Sequence, residues 1–156
     1  LAKVPETEGD FMADRDLTIL YICTTCKVTG ESNSEGHVPS GQRLFERVRD
    51  IHAPDSDVPV QPMVCLANCD QACSAAVSAP GKWSFILGFL TPDRAADLLE
   101  YGRAYANSEK GIVLRKERPE SLRHSIVARI PSPELFKNEA AQVELVAGQQ
   151  KEEAAE

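Results

Sequence analysis

The chain has 156 residues, with 42% hydrophobic and 26% charged side chains and a formal net charge of −7. That is one soluble globular domain with or without tails, and the acidic balance argues against a nucleic-acid binder held by phosphate contacts. No apolar run approaches the roughly 18 residues needed to span a membrane, and no basic-then-apolar leader opens the chain, which predicts a cytoplasmic protein.

Residues 1–16 carry a net −3 and residues 132–156 a net −4, so residues 17–131 are neutral by side-chain count. Both ends therefore read as acidic, solvated tails. Met12 makes a natural start, so residues 1–11 read either as an added, non-native leader or as an upstream extension. In chain order, residues 17–23 are short, β-branched and aromatic, which predicts a buried strand. Residues 27–39 are turn formers and polar groups, hence a long loop. Ser40 reads as an N-cap, and Leu44, Phe45, Val48 and Ile51 recur at helical spacing after it. Residues 58–65 predict a second strand, with Pro59 and Pro62 limiting its partners. Residues 75–79 and 82–89 flank the turn dipeptide Pro80-Gly81 and read as a hairpin. Thr91-Pro92-Asp93 opens a second helix that runs to about Asn107. The order is strand, helix, strand, hairpin, helix, an α/β layout with one small mixed sheet and flanking helices. The domain is expected to occupy residues 17–109. Residues 110–131 carry a net +4. They read as a basic extension over the body or as a docking edge for an acidic redox partner.

Five cysteines carry the chemistry. Cys23 and Cys26 close the first strand, and Cys65, Cys69 and Cys73 follow the second in a Cys-x3-Cys-x3-Cys run. The 38 residues between the groups hold one helix and one strand, so a crossover connection brings both groups to one sheet end. Buried cysteines acting as small hydrophobes fit this placement poorly, because the residues lie in polar loops. An odd number also fits poorly with a closed set of disulfides. Thiolate ligation without a nearby histidine pair suits zinc or an iron–sulfur cluster. A third reading is a thiol–disulfide enzyme built on Cys23-Thr-Thr-Cys26. It lacks the activating helix start directly after the pair. His37, His52 and His124 have no partner motif. No paired carboxylates, nucleophile–base set or glycine-rich phosphate loop marks an enzyme. Lys27 and Lys82 are candidate cations near the thiolates, and Trp83 reads either as a cover over the site or as a hairpin core residue.

Cys23-Thr-Thr-Cys26, Pro39-Ser-Gly-Gln-Arg-Leu-Phe45, Cys65-Leu-Ala-Asn-Cys69, Cys73 and Ala79-Pro-Gly-Lys-Trp83 resemble a bacterial family of unknown function over residues 17–131. Its members are labelled predicted metal-binding proteins and often lie near cobalamin-biosynthesis or metal-handling genes. More distantly, Cys65-Leu-Ala-Asn-Cys69 followed by Ala79-Pro80 resembles the thioredoxin-like [2Fe–2S] ferredoxins. That resemblance implies a thioredoxin-like fold and a [2Fe–2S] cluster on Cys23, Cys26, Cys65 and Cys69. It also implies single-electron transfer to a redox partner protein. A homodimer is a separate candidate assembly. The chain departs from the ferredoxin pattern in three places. Its first pair is more closely spaced, Ala67 stands where glycine is common, and Cys73 has no counterpart.

Overall fold

The computed structural model describes residues 17–54 and 56–136. The two acidic tails lie outside these residues, apart from the stretch 132–136. The strands are β1 (Ile19–Cys23), β2 (Val60–Met63), β3 (Ala75–Ser78), β4 (Ser84–Leu87) and β5 (Ile126–Ile130), and the helices are α1 (Ser40–Ile51) and α2 (Ala95–Asn107). They form one mixed sheet in the order β2-β1-β3-β4-β5. β1 and β2 run parallel, from Leu20 opposite Val60 to Cys23 opposite Met63, and every other pairing is antiparallel. The expected α/β architecture, a small mixed sheet with flanking helices, is therefore present.

The strands alternate with period two, as a sheet with one packed face requires. Leu20 and Ile22, Val77 and Ala75, and Phe85 and Leu87 are buried. Their core partners include Leu44 and Val48 of α1 and Leu98, Tyr101 and Tyr105 of α2. β2 lies at the sheet edge, where Pro62 costs no ladder bond that the fold needs. The β3–β4 hairpin turns at Pro80-Gly81, with Gly81 at φ +70°. Proline followed by a positive-φ glycine is the chemistry of a type II turn. Lys82 reaches across from this turn and donates to the Ala106 carbonyl at 2.7 Å, so a buried cation closes the negative C-terminal end of α2.

Three elements differ from the sequence reading. The basic stretch is more than a cover over the body, because Ile126–Ile130 pairs with β4 as a fifth strand. Its β-branched residues prefer a pleated surface, and that signal sits behind a run of cations. Ser40 is the first helical residue, not the cap. Pro39 holds the cap position and no side chain of the helix start caps it. Thr91 does precede the second helical start. Its Pro92–Arg94 turn is a 3-10 turn, and α2 proper begins at Ala95.

Candidate metal centre

Because β1 and β2 are parallel, both end at the same edge of the sheet, and β3 begins there. The five cysteines follow or precede those ends. Cys23 is the last residue of β1, Cys65 lies two residues beyond β2, Cys69 opens the 3-10 turn Cys69–Gln71, and Cys73 lies two residues before β3. The Cys23 amide donates to the Ser74 carbonyl at 3.0 Å and the Thr24 amide to the Met63 carbonyl at 2.8 Å. The strand ends are thus laced together around the thiols. The Thr25 hydroxyl also donates to the Val64 carbonyl.

The cysteines fall into three environments. Cys23 and Cys26 are buried, at 1% and 4% exposure, and the Cys26 thiol donates to the Cys23 sulfur at 3.0 Å. Burial pushes the Cys23 thiol up, but donors from Cys26, the Thr25 hydroxyl and the Thr25 and Leu66 amides outweigh it and leave the thiol below its ordinary range. Cys26 moves the other way, through burial, its donated bond and the charge on Cys23. Cys65 and Cys69 are exposed. The Ala67 amide donates to the Cys65 sulfur at 3.2 Å. The charge on Cys65 is the largest reason the Cys69 thiol is raised, followed by burial, a hydrogen bond donated to Cys65 and the Cys23 charge. Cys73 is fully buried. Its main chain pairs with Leu90 in both directions at 3.0 Å, and burial, then the Glu31 and Cys23 charges, push its thiol up to about 11.

The N-terminus of α1 reaches this site from 14 residues away in sequence. The Gly41 amide donates to the Cys26 carbonyl at 2.9 Å. A Cβ on Gly41 would stand 2.2 Å from the Cys23 carbonyl oxygen, so only glycine admits this approach. The helix start is closed by Glu31, whose side chain is 4% exposed. Its carboxylate accepts from the Ser40 amide at 2.8 Å, the Ser40 hydroxyl, the Val28 amide at 2.9 Å and His37 at 2.7 Å. Nothing in the polar loop sequence announces Glu31 as an anchor. A spacing signal for Gly41 was present, since Ser40-Gly41 lies within the motif that carries the family resemblance.

The auxiliary side chains are sorted by the topology. Lys82 and Trp83 belong to the β3–β4 turn, at the opposite end of the sheet from the cysteines, so neither covers the site. Trp83 instead meets Phe136 edge-on at 6.0 Å and Arg129 over its ring at 4.7 Å. Lys27 binds Asn33 at 2.7 Å. His37 is held by Glu31, His52 donates to the Val58 carbonyl and His124 lies against Arg115. None of the three stands with the cysteines.

Among the described residues, no three His, Cys, Asp or Glu side chains are gathered closely enough to hold one metal ion. The donor chemistry fits a thiolate centre, and the pairs sit at one sheet end. However, Cys23 and Cys26 stand at 3.0 Å, whereas tetrahedral bonds of about 2.3 Å space sulfurs about 3.8 Å apart.

The fold and site define a small α/β protein that gathers thiols from two parallel strand ends. The chain belongs to the family described as "Protein of unknown function (DUF1636)", whose model matches residues 20–132. No curated protein matches the sequence. Among solved structures the chain is similar to a thioredoxin-like [2Fe–2S] ferredoxin from Aquifex aeolicus, at 13% identity and a TM-score of 0.47, covering 77% of this chain and 98% of that one. A second structure, of the wild-type Aquifex aeolicus ferredoxin, shares 13% identity at a TM-score of 0.44, covering 72% and 97%. No helix among the described residues is long and apolar enough to cross a membrane.

Proposed function

We propose that this protein is a cytoplasmic iron–sulfur protein that carries single electrons or serves metal-linked redox chemistry, rather than an enzyme. The observation that supports it is the parallel β1–β2 pairing, which ends both strands at one end of the sheet, where Cys23 closes β1 and Cys65 follows β2. These four residues are the ligands in this reading, and a [2Fe–2S] cluster would supply one-electron redox chemistry when bound. Backbone amides already point at the sulfurs: Ala67 at Cys65, Leu66 and Thr25 at Cys23, and Ser74 at Cys26. Such donors stabilise thiolate charge and tune a centre's potential. Cys73 is a core residue in this scheme, since it is fully buried and its main chain is paired on both sides with Leu90. The exposed pair supplies the edge at which a redox partner protein would dock.

A second reading, a zinc-binding interaction module or metal carrier, is favoured by the division of the thiols into a buried and an exposed pair. Four thiolates suit zinc equally well, and a site that closes around its ion suits delivery. Single substitutions of the cysteines test the ligand assignment. Cys23→Ser, Cys26→Ser, Cys65→Ser and Cys69→Ser should each lose bound metal, and Cys73→Ala should retain it. Retention by any of the first four, with loss in Cys73→Ala, would overturn the ligand set.

A further inference from the structure

Of the two thiol pairs, Cys23–Cys26 is the buried one, and each of its members is tied to a regular element. Cys23 ends β1 and is tied to Ser74, Cys26 is tied to Gly41 at the start of α1, and the two sulfurs already touch at 3.0 Å. Cys65 and Cys69 are exposed on a loop. We propose that in the metal-free protein Cys23 and Cys26 form a reversible intrachain disulfide while Cys65 and Cys69 remain thiols. Two reacting groups held in contact react as if at very high concentration. A bond of about 2.05 Å needs the sulfurs to close by only ~1 Å. The Cys26 sulfur, in contact with that of Cys23, is placed to resolve a mixed disulfide formed at Cys23.

The oxidant is a low-molecular-weight disulfide, RSSR. Its S–S bond breaks and the Cys23–Cys26 bond forms. The two cysteine sulfurs together lose two electrons, the two RS groups gain them, and both thiol protons leave on the two RSH products. The consequence rests on the metal-centre reading above: the oxidised pair withdraws two of the four donors, so metal loading is gated by the redox state of the surrounding thiol pool.

The test incubates metal-free, full-length protein in glutathione buffers of graded ratio, followed by acid quench, alkylation in denaturant and peptide mapping. The expected product is two hydrogens lighter, with Cys23 and Cys26 joined and Cys65, Cys69 and Cys73 alkylated, and it reverts on reduction. The double variant Cys65→Ser/Cys69→Ser should form the same bond and Cys23→Ser should form none. A bond between Cys65 and Cys69, or glutathione adducts in place of an internal bond, would overturn the proposal. Zinc uptake is then compared between oxidised and reduced protein. At least a tenfold weaker uptake after oxidation, restored by reductant, supports the gate, and equal uptake refutes it. A reduced protein that binds neither zinc nor iron counts against the metal-centre reading alone, because the peptide map decides the disulfide by itself.

Discussion

Ala67 sits between two cysteines at φ +54°, a left-handed conformation that costs a residue with a Cβ roughly 1–2 kcal/mol. A glycine adopts this conformation without a Cβ penalty, so the alanine is strained in the turn. Ala67→Gly should raise stability by about 1 kcal/mol, less a part lost to greater freedom in the unfolded chain. The urea midpoint should rise accordingly, and a fall would show that the turn is not strained. Glu31 is the opposite case, since nothing in the loop composition reveals it. Burial alone would raise its carboxyl, yet donors from Ser40, His37 and the Val28 and Ser40 amides outweigh burial and hold it at about 2, against an ordinary 4.5. The folded value is depressed, so its stabilisation is complete above pH 4.5 and is lost as pH falls from there toward 2. Wild-type protein should lose of the order of 2 kcal/mol of unfolding free energy between pH 6 and pH 3 through this group. Glu31→Gln should be less stable at pH 6 and should show a flatter pH profile in denaturant titrations.

At the scale of elements, periodicity and turn chemistry exposed β1, α1, β2, the hairpin and α2, because each carries a local signal such as the Leu44-Val48 stripe or Pro80-Gly81. β5 was hidden because its signal, Ile126, Val127 and Ile130, is short and stands among arginines. The start of α1 was misplaced by one residue because its cap comes from Glu31, a long-range contact that no local pattern encodes. The approach of α1 to the cysteine pair was equally invisible, since 14 residues separate Cys26 from Gly41 in sequence. Gly41→Ala tests that approach. Its Cβ would meet the Cys23 carbonyl at 2.2 Å, so the helix must back away, costing about 1–3 kcal/mol. The thermal midpoint should fall and bound metal should be lost more readily to a chelator, whereas Gln42→Ala, one residue on, should change neither.

Over the whole molecule, the charge of −7 belongs to the ends, and residues 17–131 are neutral. A chain cut to residues 17–136 keeps every described element, including Phe136 against Trp83. It should carry the same metal per chain as the full protein, by elemental analysis of both. Two groups of cysteines on either side of a crossover made the site's location legible in the sequence. Spacing could not show that the groups stand as two separate pairs, or that Cys73 turns into the core. Those features depend on tertiary packing around Leu90 and Glu31. In the proposed function the two pairs close around one iron–sulfur centre. The most direct measurement is the content of iron, acid-labile sulfide and zinc in protein purified without oxygen, read with its visible spectrum. A brown protein with iron and sulfide in equal amounts, about two of each per chain, is the expected result. A colourless protein with one zinc per chain, or with no metal at all, would contradict it.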